Sequence, residues 1–495
     1  MFENLIGAHK PDILDCISNL SSDEVFTPPS VVNQVLDLLP KEVWENPNLK
    51  ILDPACKSGV FLREAAKRLI SGLAGQIPDE NERKEKIFRE MLYGLSITEL
   101  TGFLSRRSLY YSKFANSDFS VVQFDGEQGN VRYTRGKHTY VKNKCRFCGA
   151  PQGSLDRGDE LENYAYQFIH GEKVFDMKFD VIIGNPPYQL QDAGDTTGAS
   201  PIYHLFVEQA KKLRPKYISM IIPSRWFGGG KGLESFRRDM LNDVQMRKIV
   251  DFTNASDCFP GVDIAGGVCY FLWEHGSSGD CEVVNHIAGK TYASMRKLNQ
   301  FDTFIRYGTA ASVLEKVQKK ARRYLSDTVS SLRPFGLRTY VRPEENGDLN
   351  LFWSGGIGRY PSEKVTFGLS MIHKWKTITS IRSYDHGGLP DKEGFRRVLS
   401  RIDVLPPGTI CTETYIVIGV FDTEAEARLL FNYLKTKFVR FLISLMSFSQ
   451  DIAKKSYALV PDMDLTNNWT DELLYRFFDL SDEEIKFIEC HIKEM

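Results

Sequence analysis

Phe179-Asp180-Val181-Ile182-Ile183-Gly184-Asn185-Pro186-Pro187-Tyr188 is a short apolar run that ends in a stiff polar turn. The run has the length and β-branched content of a buried strand. Two prolines fix the backbone direction of the turn and contribute no amide hydrogens. Carbonyls and the Asn185 side chain therefore dominate its polarity, which suits a substrate with an N–H₂ group in need of acceptors. Open parallel sheets bind ligands beyond the carboxyl ends of their strands, where this turn falls. A Pro-rich strand end with a capping Asn is the competing reading.

Upstream, Ile51-Leu52-Asp53-Pro54-Ala55-Cys56-Lys57-Ser58-Gly59-Val60-Phe61-Leu62 runs from a strand through a Ser/Gly loop into an amphipathic helix. Such a loop presents backbone N–H groups to a carboxylate or phosphate. Alone it fits any nucleotide-binding fold; paired with the turn at 185–188 it is far more specific. Around these two motifs, β-type runs at 50–53, 91–97, 121–124, 181–184, 217–222, 248–252 and 268–273 alternate with helical patterns, notably 60–73 and 202–213. The alternation predicts an α/β fold with a doubly wound, mostly parallel sheet.

The stretch at about 126–178 is too long for a strand–helix connection and reads as an insertion. Its Cys145-Arg146-Phe147-Cys148-Gly149 is half of a zinc knuckle. A structural zinc needs four ligands, and His138 and His170 are the nearest candidates for the other two. Two free thiols on a turn is the alternative. From about residue 303 the pattern becomes mixed, rich in Arg, Gly and aromatics, and ends in helical periodicity over 424–447 and 471–495. This predicts a division into residues 1–300 and an α+β region over 301–495.

The 495 residues exceed one ordinary core, and the 42% hydrophobic and 26% charged fractions are those of a soluble globular protein. Asp12, Asp15, Asp23 and Glu24 break the first stretch before a signal sequence could form, and no run is apolar enough for a membrane span. Nine scattered cysteines fit reduced thiols in a cytoplasm. A net charge of −1 names no partner. The basic clusters at 132–146, 211–216 and 316–323 fit a nucleic-acid cleft or solvated faces equally well.

With these motifs in this order, the chain resembles the gamma-type N6-adenine-specific DNA methyltransferases of type II restriction–modification systems. The likeness runs motif by motif over residues 24 to about 275. It implies a seven-stranded methyltransferase sheet, S-adenosylmethionine as cofactor, a flipped adenine in double-stranded DNA as substrate, and a target-recognition domain over 301–495. By position, Glu24-Val25-Phe26-Thr27-Pro28 resembles the segment that closes over the methionine part of the cofactor. Asp53, Pro54, Ala55, Cys56 and Gly59 match the cofactor loop, Glu99 the acid on the ribose, and Asp125 the acceptor of the cofactor's adenine amine. Asn185, Pro186, Pro187 and Tyr188 match the catalytic tetrapeptide, and Phe259 the aromatic facing the flipped base. Pro223-Ser224-Arg225-Trp226 resembles a strand-end loop. Lys57 stands where the family usually has Gly, and Glu99 lies later after Gly94 than the usual acid, so Ser96 or Thr98 could share its role.

Arg338, Arg382, Arg396, Arg397 and Arg401 are candidate groove or phosphate contacts. A cognate restriction endonuclease is a further partner the likeness admits. A fused nuclease is disfavoured, because Glu484-Ile485-Lys486 and Glu82-Arg83-Lys84 fall in charged helical stretches without a strand-borne Asp. Three other readings share the motifs: a glutamine-side-chain protein methyltransferase, an RNA base methyltransferase, and a silent nucleic-acid-binding module. The intact Asn185 and Gly59 speak against the last. The leading reading requires the 185–188 turn to lie beside the 53–59 loop and open to an extruded purine.

Overall fold

The computed structural model describes residues 26–152, 165–170, 175–190, 200–287, 289–385, 390–447 and 450–495. The chain forms two compact units, Met1–His286 with Ser294–Asp302, and Ile287–Ala293 with Thr303–Met495.

In the first unit, helix α1 (Pro29–Leu36) starts with Pro29, where a missing amide costs nothing. Strand β1 (Ile51–Cys56) is buried at every position, as expected for a parallel strand covered on both faces. Helix α2 (Val60–Gly72) follows and buries Phe61, Leu62, Ala65, Ala66 and Leu69. Strand β2 (Leu92–Ser96) leads into α3 (Glu99–Tyr110), whose start is fixed by a reciprocal cap between Thr98 and Thr101.

The third strand is not at 121–124. That stretch is a loop that satisfies its own backbone: the Val121 amide donates to the Tyr110 carbonyl, and the Phe124 amide to that of Ala115. The Phe124 ring packs on Tyr110 at 5.0 Å. With its polar groups met locally, the segment gains nothing from the sheet. Strand β3 forms instead at Val131–Arg132, pairing parallel with β2 through Gly94 and Leu95.

The insertion contributes a small hairpin, β4 (Tyr140–Val141) and β5 (Lys144–Cys145). Strand β6 (Val181–Gly184) re-enters the sheet, and beyond its turn β7 (Gln189–Leu190) pairs with β8 (Ser200–Pro201). Then come α4 (Tyr203–Lys212), β9 (Tyr217–Pro223), α5 (Glu234–Asn242), β10 (Met246–Phe252) and β11 (Val268–Glu274). Two more strands, β12 (Cys281–Ile287) and β13 (Lys290–Arg296), extend the sheet past β10.

The order β3-β2-β1-β6-β9-β11-β10 is the expected seven-stranded core within a nine-stranded sheet among the described residues. In that core only β11 runs antiparallel to its neighbours. The chain order reverses between β1 and β6, and such a switch point opens a crevice at the carboxyl ends of the two strands.

The second unit is mixed α+β, as expected. After α6 (Gly308–Lys320) come β14 (Leu349–Trp353), β15 (Gly356–Tyr360), β16 (Trp375–Ser380), β17 (Ile402–Leu405), β18 (Thr409–Cys411) and β19 (Tyr415–Phe421). They make two three-stranded sheets, β15-β14-β18 and β17-β16-β19. The expected helix over 424–447 is two, α7 (Glu424–Lys435) and α8 (Lys437–Leu445). Thr436 adopts extended backbone between them and caps α8 through its hydroxyl, which ends one helix and starts the next. Helices α9 (Asp471–Phe477) and α10 (Asp482–His491) complete the unit. Among the described residues, no helix is long and apolar enough to cross a membrane.

Candidate active site

Two motifs 120 and more residues apart meet because β1 and β6 are neighbours, with Ile51 beside Val181 and Leu52 beside Ile182. Each strand delivers its loop to the same end of the sheet. At the end of β6, Gly184 has φ +146°, and a side chain there would meet the Asp53 carboxylate oxygen at 2.7 Å. Gly59 is equally constrained: it sits at φ +75°, and a Cβ would lie 2.8 Å from the Ser105 backbone of α3. The Ser105 hydroxyl donates to the Lys57 carbonyl at 3.2 Å, which ties the loop to that helix.

Asp53 is buried, and its carboxylate accepts from the Ala55 amide at 3.0 Å. Burial pushes its carboxyl up to about 6, while the Ala55 amide, Cys56 and Lys57 act in the opposite direction. Lys57 replaces the family glycine with a side chain that turns into the site. It is buried, and its ammonium stands 5.9 Å from the centre of the Tyr188 ring. The sequence marked Lys57 as a departure but gave no sign that it would join the two loops.

Asn185 is held from a third direction. Its amide nitrogen donates to the Thr27 hydroxyl at 2.9 Å, across 158 residues of sequence. Phe26 and Thr27 are both buried beside it, ahead of α1. Glu24 and Val25 lie outside the described residues. The turn is therefore next to the 53–59 loop, but more enclosed than an open base pocket: Asn185 is 4% exposed, and Pro186 and Pro187 are buried. Tyr188 is partly exposed as a residue, with its hydroxyl buried. Burial drives its hydroxyl well above the ordinary tyrosine value, reinforced by Cys258 and Cys269 and opposed by the Asn185 side chain.

At the end of β2, Glu99 is the first residue of α3 and is exposed to solvent. It stands just beyond the carboxyl end of β2. Ser96, opposite Cys56 in the register, is buried with its hydroxyl unpartnered among the described residues.

Asp125 is not brought to the site. It precedes β3 by six residues and is exposed among the loops at the amino ends of the parallel strands, near Arg89, whose guanidinium stacks on Phe124. The assignment followed from a strand at 121–124 that does not form. Phe259 also departs from expectation: at 1% exposure it belongs to the main core with Phe252, Val268 and Tyr270. An apolar ring in that position is worth roughly 1.5–3 kcal/mol buried, and it presents no face to a base.

Most of the basic candidates are already paired. Lys211 binds Asp243 at 2.7 Å, Lys316 binds Glu484 at 2.6 Å, and Lys320 binds Asp479. Arg396 is structural, donating to Asp385 at 3.1 Å and to the Ser444 carbonyl. Arg382 and Arg401 pair with Asp451 and Asp403 but stay exposed, and Arg397 stacks on Tyr384. In the insertion, His138, Cys145, Cys148 and His170 bring one ligand atom each to within 4.8 Å of one another.

Residues 90–259 match the family model described as Eco57I restriction-modification methylase. An uncharacterized adenine-specific methylase of Mycoplasma pneumoniae (strain ATCC 29342 / M129 / Subtype 1) is 41% identical over 304 residues, covering 55% of this chain and 72% of that protein. The adenine-specific methyltransferase PglX of Streptomyces coelicolor is 26% identical over 151 residues, 28% of this chain and 12% of PglX. Among solved structures, the type IIL restriction-modification enzyme MmeI in complex with DNA aligns over 88% of this chain and 66% of its own, at 13% identity and a TM-score of 0.48. The identity and coverage shared with the Mycoplasma protein, on a seven-stranded core that joins the 53–59 and 185–188 loops, place this chain in the adenine-specific methylase family of restriction–modification systems.

Proposed function

We propose that this methylase transfers the methyl group of S-adenosylmethionine to N6 of an adenine drawn out of a specific duplex DNA sequence, as the modification component of a restriction–modification system. The observation that supports this is the close approach of Gly184 to Asp53, which leaves no space for a side chain where the acceptor-rich turn meets the 53–59 loop. The chemistry of the site fits the cofactor: a buried carboxylate at Asp53, an acid at the first turn of α3, and the buried Ser96 hydroxyl. When bound, S-adenosylmethionine supplies an electrophilic methyl group.

The chain's own part is positioning. The target amine is a weak nucleophile because its lone pair is delocalised into the purine. Asn185 Oδ1 and the Pro186 carbonyl each accept one N–H, which draws the nitrogen toward tetrahedral geometry and localises the lone pair. No strong base is required, since the methylated ammonium sheds its proton to water readily. Preorganised acceptors of this kind contribute through orientation and fixed dipoles. Extruding the base costs a few kcal/mol, and the Tyr188 ring offers a stacking face that offsets roughly 1–3 kcal/mol of it. Thr27 takes the Asn185 amide N–H, at the opposite end of the side-chain amide from the Oδ1 that accepts from the target amine. Residues 301–495 supply sequence recognition, with exposed Arg338, Arg382 and Arg401 available to phosphates. The insertion and its cysteine pair take no part in the transfer.

The test is expression of the chain in a methylation-free host beside an Asn185→Ala control, with N6-methyladenine mapped across the genome. A single short motif becomes modified with the first and stays unmodified with the second. Methylation confined to RNA or protein overturns the reading.

A further inference from the structure

We propose that His138, Cys145, Cys148 and His170 form a tetrahedral zinc site that fastens the insertion to the helix behind the catalytic turn. In a tetrahedral site with Zn–S near 2.3 Å and Zn–N near 2.0–2.1 Å, sulfur and nitrogen ligands stand about 3.5–3.6 Å apart. The Cys145 Sγ to His170 Nε2 and Cys148 Sγ to His138 Nδ1 separations are both 3.5 Å.

The surrounding backbone is built for such a site. Lys142 and Asn143 adopt φ +51° and +61°, a tight turn between β4 and β5 that brings Cys145 back toward His138. Gly149, at φ +73°, donates its amide to the Cys145 carbonyl at 2.9 Å and closes the Cys-x-x-Cys loop. His170 Nδ1 sits 2.7 Å from the Tyr166 carbonyl. A proton on Nδ1 leaves Nε2 as a lone pair aimed at the cluster, the usual outer support of a metal-bound histidine. Cys145 and His170 are buried, at 3% and 5% exposure. Two imidazoles converging on a cysteine pair have a role in a metal site and none in a disulfide. On binding, both thiols lose their protons to solvent.

The four ligands come from three separate segments of an insertion with few apolar residues, where a metal replaces the missing core. Its mechanical reach follows from His170. The same short segment packs Tyr166 and Phe168 on Phe206 of α4, with ring centres 5.7 and 5.8 Å apart. Just ahead of that helix, the Ile202 amide donates to the Tyr188 carbonyl at 3.1 Å. The zinc therefore braces the outer wall of the catalytic turn without touching the reacting atoms.

The test is metal analysis of the full chain purified without chelator. One equivalent of zinc per chain is expected, and cobalt(II) in its place gives intense visible bands of a tetrahedral thiolate site. Cys148→Ser loses the metal, whereas His138→Cys, which keeps four ligands, retains it. Should Cys148→Ser fail to fold, the wild-type content and the His138→Cys variant still decide. A folded, cofactor-binding chain without metal, or a Cys145–Cys148 disulfide found by mass spectrometry, overturns the proposal. This result is independent of which polymer is methylated.

Discussion

Gly184 and Asp53 stand so close that a methyl group on the glycine would lie 2.7 Å from the aspartate's carboxylate oxygen. The pair joins the last residue of β6 to Asp53 of β1, and a side chain at 184 is strained as well as crowded because Gly184 has φ +146°. Gly184→Ala should therefore combine backbone strain with displacement of Asp53. We expect a loss of about 2–4 kcal/mol in stability, read from urea midpoints, and weaker S-adenosylmethionine binding by calorimetry. Unchanged cofactor affinity in a folded variant would show that the contact does not matter for the site.

Asp53 carries a cost in the fold. Its carboxyl titrates near 6 here against an ordinary 3.8, so between those values the native state holds more protons than the unfolded chain. Stability from this group is highest below about 4, falls as pH rises through 6, and stays reduced above it. Asp53→Asn should therefore be more stable than wild type at pH 7, by up to about 3 kcal/mol, and the gain should shrink toward pH 4. The same variant should bind the cofactor more weakly. Denaturation midpoints across that pH range check the sign.

Lys57 places a cation over the Tyr188 ring. A positively charged sulfonium in the same crevice meets a like charge, whereas the neutral demethylated product does not. Lys57→Met should tighten S-adenosylmethionine several-fold while leaving S-adenosylhomocysteine nearly unchanged. Equal effects on both ligands would mean that Lys57 acts through loop shape alone.

Thr27 orients Asn185 by accepting its amide hydrogen at 2.9 Å. Thr27→Val keeps the shape and removes the acceptor. Turnover should drop roughly tenfold or more with little change in cofactor dissociation constant. Thr27→Ser should restore most of the rate, and a variant whose rate matches wild type would leave Thr27 without an orienting role.

Phe259 is a core residue in this fold, so Phe259→Leu should lower stability by about 1–2 kcal/mol without a specific effect on base capture. 2-Aminopurine fluorescence at the target position separates the two roles. A stable variant that no longer extrudes the base would return Phe259 to the pocket.

The sequence by itself determined the doubly wound sheet, the two loops that matter, and the four candidate metal ligands. These are legible locally: β6 is a continuous apolar run, β1 opens as one at Ile51-Leu52, each leads into a turn with its own chemical signature, and Cys-x-x-Cys has a fixed spacing. Only the tertiary structure decided which distant groups share the site. The bond from Asn185 to Thr27, the reach of Lys57 to Tyr188 and the fit of Gly184 against Asp53 depend on strand order and backbone direction, and no periodicity records them. The same cause explains the failures. Val121 to Phe124 has strand-like residues, but its backbone finds partners in Tyr110 and Ala115, so the sheet takes residues 131–132 and Asp125 stays in the exposed loop ahead of β3. Phe259 has the side chain of a base-stacking residue, yet burial in the core, a property of the whole packing, removes it from the pocket.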